Sequence, residues 1–216
     1  MSELKYLAIG DIFMDGPELP EGAPAWPKAL VDELRAEGYD LGDPVSVVGR
    51  TKTAGQLLYD LKGRGLPTDF NLVTIQLGAW DLAKRTPHTL FSIAVTDILA
   101  EAIRRASGDG SRVVLVTPPL FGDVADDAYL ERFAEMVRLQ FAAVVERREP
   151  HFVDTVETSI ELLFGDEPDV TENGFPGARA HLTWARQVAQ PARHILGPPR
   201  NHNIVDFPTR HDDERS

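Results

Sequence analysis

LKYLAIGDIFMDG, residues Leu4 to Gly16, opens with a short apolar run at Tyr6, Leu7, Ala8 and Ile9 that Gly10 ends. The run has no helical spacing. That is the pattern of a strand buried on both faces of its sheet, as in parallel sheets covered by helices. Gly10 permits a sharp turn. Asp11 to Gly16 then lie just past the carboxyl end of the strand, the edge at which open α/β sheets bind ligands.

Outward from this strand the chain alternates. Pro17 to Pro27 is rich in Pro, Gly and Glu and reads as a loop, with Pro27 suited to a first helical turn. Trp26, Leu30 and Leu34 recur at helical spacing, and Gly38 stops that helix. Val45 to Val48 is a second strand ending at Gly49, and Leu57, Leu58 and Leu61 line a second helix. Leu72 to Leu77, LVTIQL, is a third strand closed by Gly78. Pro87 to Ala106 reads as a long amphipathic helix with Leu90, Ala94 and Ile98 in line. Val113 to Val116 is a fourth strand, stopped by Pro118 and Pro119. Tyr129, Phe133, Val137 and Phe141 mark a further helix, His151 to Val153 a short fifth strand, and Ala178 to Ile195 the last helix. This alternation predicts a three-layer α/β/α sandwich with a parallel, mainly five-stranded sheet and right-handed crossovers. Residues 1–196 read as one domain. Residues 197–216, charged and Pro-containing, read as a tail ordered only if it docks on a neighbour.

Composition narrows the function classes. The chain has 216 residues, 43% hydrophobic and 26% charged, enough to build one ordinary globular core. Its formal net charge of -12 disfavours nucleic-acid phosphates and anionic membrane surfaces as partners. With 0 Cys, disulfides, thiolate catalysis and cysteine-ligated metals are excluded. The amino terminus carries Glu3 and Lys5 and turns straight into strand, without the apolar region of a signal peptide, and no later run is long enough to span a bilayer. A cytoplasmic location is the expectation.

Three of these segments resemble the SGNH (GDSL) hydrolases. Gly10, Asp11 and Gly16 match the Gly-Asp-Ser-x-x-x-Gly of the family's first block, with Ile12 at the serine position. Gly49 is the best match to the glycine of the second block, in VVGRT. LVTIQLGAWD resembles the apolar strand and Gly-x-Asn-Asp of the third: Gly78 and Asp81 fit, and Trp80 stands where the oxyanion-hole Asn belongs. The resemblance covers nearly the whole chain up to the last helix and implies a flavodoxin-like strand topology.

In the family, serine attacks the acyl carbon while backbone N–H groups, a Gly and an Asn stabilise the oxyanion. Histidine takes the serine proton, and an acid three residues earlier orients the imidazole. An aliphatic Ile12 cannot attack. The indole N–H of Trp80 is a donor on a far bulkier group, suited to plugging or lining the pocket or to stacking on a ligand. The Asp-x-x-His block leaves three registers open. One takes Asp169 as the acid and Glu172 at the histidine; another reads Thr171 to Phe175 with the histidine deleted before Pro176; the third uses His181 as a base. None restores a serine.

The resemblance thus implies an SGNH-like protein without the family's esterase activity, retaining small-ligand or protein binding at the old pocket. Its lining would be Asp11, Ile12, Gly49, Arg50, Trp80 and Asp81, with Arg50 and Lys52 making the rim locally cationic. On this reading no catalytic residue is expected, with His181 the one candidate for a base. Two alternatives stand beside this reading. One is an active ester or acetyl hydrolase using Thr51, Thr53 or a carboxylate-activated water. The other is a scaffold or oligomerisation protein. Asp11, Asp15 and Asp81 converge at one edge in a pattern that suits Mg²⁺, but Asp11 and Asp81 already belong to the family frame, where such an Asp orders the loop. Walker-type and Gly-x-Gly-x-x-Gly sequences, and zinc or di-iron spacings, are absent, so no cofactor or metal is expected.

Overall fold

The structure, a computed structural model, describes residues 3–121 and 126–199. Five parallel strands, β1 (Tyr6–Gly10), β2 (Val45–Val48), β3 (Leu72–Gln76), β4 (Val113–Val116) and β5 (His151–Val153), form one sheet in the order β2-β1-β3-β4-β5. The helices are α1 (Trp26–Ala36), α2 (Ala54–Gly63), α3 (Ala79–Ala83), α4 (His88–Arg105), α5 (Asp127–Arg147), α6 (Val156–Phe164) and α7 (Ala178–Leu196). The chain is a three-layer α/β/α sandwich.

Successive residues of β1 point to opposite faces, and both faces are dry. Leu7 and Ile9 join the layer of α2, α4 and α5, whereas Tyr6 and Ala8 join that of α1 and α7. Burial on both sides is why the sequence of β1 shows no polar alternation. The first crossover carries the chain to β2 on one side of β1, and the next returns it to β3 on the other. The strand order therefore reverses at β1, which leaves a crevice at the carboxyl ends of β1 and β3.

Two expectations need correction. Of the line Leu90, Ala94 and Ile98 on α4, Ala94 and Ile98 are buried but Leu90 is 59% exposed; Phe91, Val95, Leu99 and Ala102 complete the face toward the core. On α5, Phe141 is 52% exposed and packs edge-on against Phe152 at the rim of the sheet, while Met136, Gln140 and Ala143 turn inward. The short helices α3 and α6 were not legible from periodicity, because five and nine residues span too few turns to show it. Among the described residues no helix is long and apolar enough to cross a membrane. Most of the tail, residues 200–216, lies outside the described residues.

Candidate functional site

Gly10 closes β1 against its neighbour. A Cβ there would lie 2.2 Å from the Gln76 carbonyl oxygen and 2.4 Å from Met14 Cγ, so no larger residue fits. This close approach lets the Asp11 N–H donate to the Gln76 carbonyl at 3.1 Å and the Gly49 N–H donate to the Gly10 carbonyl at 2.9 Å. The ends of β1, β2 and β3 are thereby stitched together.

Asp11 completes the stitching with its side chain. Oδ1 accepts from the Phe13 N–H at 3.2 Å, holding the single helical turn Ile12–Met14, and Oδ2 accepts from the Ala79 N–H at 3.0 Å, at the start of α3. Asp81 makes the matching link to α2, accepting from the Ala54 N–H through Oδ2 at 2.8 Å. Burial pushes the carboxyl of Asp11 up to about 6, against the pull of its backbone donors, and the nearby Asp81 raises it further. Burial likewise pushes Asp81 up. Both carboxylates thus spend oxygens on backbone N–H groups of neighbouring segments.

The residues around this frame are carbon-rich. Ile12 opens the turn after Asp11 and is partly buried. Next to it, fully buried Phe13 meets the Phe121 ring edge-on at 5.4 Å, and Phe121 stacks on Phe175 at 5.3 Å with 12° between the rings. The row joins the first block to the segment before α7. Trp80 is partly buried on α3; its indole N–H is buried with no hydrogen-bond partner, and Lys84 Nζ lies 5.7 Å over its ring.

The expected cationic rim is neutralised. Arg50 Nε pairs with Asp15 Oδ2 at 2.5 Å and is mostly exposed, and Lys52 pairs with Asp60. Thr51 is exposed, with its carbonyl 3.4 Å from Lys84 Nζ. Thr53 caps α2, its N–H donating to Gln56 Oε1 at 3.0 Å in a capping box.

The segment before α7 is a tight turn in which the Thr171 N–H donates to the Phe175 carbonyl at 2.7 Å. Asp169, the acid of one register, caps α7: Oδ2 accepts from the Ala180 N–H at 2.6 Å. Glu172 is exposed. His181 is fully buried within α7, where its Nδ1 accepts from the Trp26 N–H at 3.1 Å and so caps α1. Its Nε2 has no partner, its ring lies edge-on to Trp184 at 5.1 Å, and burial pushes its imidazole down to about 4. Trp26 in turn donates its indole N–H to Gln76 Oε1 at 2.7 Å.

Phe121 and Phe175 were missed as site residues. The signal for Phe175 was available: Glu172-Asn173-Gly174-Phe175-Pro176 fits Asp-x-x-His-Pro with Glu for the acid and Phe for the base. None of the three registers uses it. Phe121 carried no such signal, since only folding brings it beside Phe13.

Known structures share this architecture. The chain is similar to TesA, at 19% identity and a TM-score of 0.71 over 89% of this chain and 99% of that one. It is similar to the lipase/acylhydrolase from Enterococcus faecalis, at 18% identity and a TM-score of 0.71 over 91% and 99% of the two chains. It also resembles the psychrotrophic esterase EstA from Pseudoalteromonas sp., at 18% identity and a TM-score of 0.65 over 90% and 99%. At such identities the likeness shows the fold alone. No curated protein sequence matches this chain. A family model, by contrast, matches residues 8–187, a span running from β1 well into α7. By that match the chain belongs to the GDSL-like lipase/acylhydrolase family.

Proposed function

We propose that this family member does not carry out the family's serine esterase reaction and that its old site binds a small ligand or a protein partner. The observation that carries the reading is the hydrocarbon lining of the rim. Ile12 stands where the attacking oxygen is needed, and the Phe13–Phe121–Phe175 row runs from it to the segment that would supply the base. On this reading Phe175 takes the place of the histidine and Glu172 that of its acid. His181 serves α1 as a cap. Acyl transfer by the family route needs a hydroxyl, a base within hydrogen-bond reach and oxyanion donors. Ile12 lacks the first, Phe175 the second, and Trp80 replaces the Asn of the third.

The retained frame of Asp11, Gly49 and Asp81 keeps the crevice shaped, and Ile12, Arg50 and Trp80 edge it. A cavity of about 340 Å³ beside Phe121, lined also by Leu163, Phe164 and Val170, offers apolar contact to a ligand. We read residues 1–196 as the folded unit, 197–216 as a tail, and the protein as cytoplasmic.

Turnover of p-nitrophenyl acetate by the purified chain tests this. The expected rate is that of buffer, and Ile12→Ser alone leaves it there, because the base and the oxyanion Asn are still missing. A wild-type rate that Asp11→Asn, Thr51→Ala or Thr53→Ala abolishes would instead establish a hydrolase with a different nucleophile. A large gain from Ile12→Ser would show that the remaining machinery is intact.

A further inference from the structure

A second cavity lies away from the crevice, along the outer edge of β5. It measures about 600 Å³ and is walled by His151, Val153 and Asp154 on one side and by Gln187, Pro191 and His194 of α7 on the other. We propose that the imidazoles of His151 and His194 hold a divalent transition-metal ion of the Zn²⁺, Ni²⁺ or Cu²⁺ class in this cavity.

The rings are already spaced for it. Their centroids lie 6.0 Å apart, with 75° between the ring planes. Two imidazoles sharing an ion at about 2.0–2.1 Å from each nitrogen have centroids roughly 5–6.5 Å apart, depending on the angle at the metal. Metal binding needs the neutral ring. His194 is exposed at the mouth, so an ion has an open path.

Gln187 lines the same cavity. The Gln187 side chain donates through Nε2 to Thr158 Oγ1 at 2.8 Å, which fixes its amide, and its Oε1 is buried with no partner. Pro191, which has no N–H, sits four residues on inside α7, so the Gln187 main-chain carbonyl also lacks its helical donor. The carboxylate of Asp154 in the wall favours a cation. Among the described residues no group of three or more His, Asp or Glu is placed to hold a metal. The site is therefore a two-nitrogen one completed by water, and imidazole selects metals of the stated class over Mg²⁺ or Ca²⁺.

Titration of the metal-free full chain with Zn²⁺ and Ni²⁺, read by calorimetry and by the thermal midpoint, tests the assignment. One equivalent is expected to bind in the micromolar range and to raise the midpoint. His194→Ala and His151→Ala each weaken binding by roughly tenfold or more, while His88→Ala, on α4, leaves it unchanged. A Cu²⁺ electron-spin spectrum with two imidazole nitrogens should fall to one in either variant. If His151→Ala weakens folding, exposed His194 decides the matter alone. Wild-type affinity retained in His194→Ala, or wild-type binding no tighter than millimolar, overturns the proposal.

Discussion

The crevice at the end of β1 has an inner frame and an outer rim, and the two have fared differently. The frame, made of Gly10, Asp11, Gly49, Gly78 and Asp81, keeps the family's residue types because each holds the backbone together. Gly10 has no room for a Cβ; Gly78 has φ of 126° and would press a Cβ to 2.9 Å from Met136 Cε. Asp11 and Asp81 satisfy N–H groups of α3 and α2 that would otherwise be buried unpaired. The rim, made of Ile12, Trp80, Phe121 and Phe175, holds nothing up by side-chain hydrogen bonds. Its residues can change type without unravelling the fold. On the proposed reading the scaffold outlasts the chemistry because structural and reacting groups are different atoms.

The contrast has energetic consequences. Phe13, at the junction of frame and rim, is fully buried, so Phe13→Ala should cost about 3–5 kcal/mol in a urea melt. Phe175→Ala removes the partly buried end of the same row and should cost about 1–2 kcal/mol. Equal losses would erase the distinction between the two regions. Asp11→Asn should cost about 1–3 kcal/mol, because its amide N–H₂ must face one of two backbone N–H donors. A neutral outcome would show that the carboxylate is not what ties α3 to β1.

The pH dependence sharpens the same contrast through two buried groups. The folded value of Asp11, about 6, lies above its ordinary 3.8, so its contribution to stability is full below about pH 4 and is lost as pH rises through 6. His181 runs the other way. Its folded value of about 4 lies below 6.5, so its contribution is full above 6.5 and is lost as pH falls through 4. The two slopes oppose each other over nearly one window, each on the order of 1–3 kcal/mol. Asp11→Asn should therefore lose more stability than wild type between pH 6.5 and 4.5, and His181→Gln less. Parallel curves for all three proteins would refute both assignments.

The smallest effect belongs to the rim. Glu18 accepts from Thr171 Oγ1 at 2.8 Å and from Asn173 Nδ2 at 2.7 Å, and these two bonds hold its carboxyl below the usual range. It joins the loop after β1 to the turn before α7, yet it is fully exposed. Glu18→Ala should leave the unfolding midpoint unchanged within error. A clear drop would mean that the rim, too, carries structural load.

Part of this site was legible in advance and part was not. Gly10, Asp11, Gly78 and Asp81 announce themselves because a turn glycine and a loop carboxylate sit at fixed offsets from strand ends. His181 misleads, since a histidine near a helix start reads the same whether it faces a cleft or a core. Phe121 is invisible, lying in a loop that becomes part of the site only when β4 is laid beside β3.

The order of residues by itself determined the sandwich, because unbroken apolar runs bounded by Gly and Pro admit only strands covered on both faces. It also determined that the side chain after Asp11 carries no oxygen, since Ile12 has none in any conformation. Tertiary structure alone decided that His181 caps α1, that three phenylalanines from distant segments form one row, and that His151 meets His194. Contacts between residues far apart in the chain depend on how layers pack, and local spacing holds no record of that.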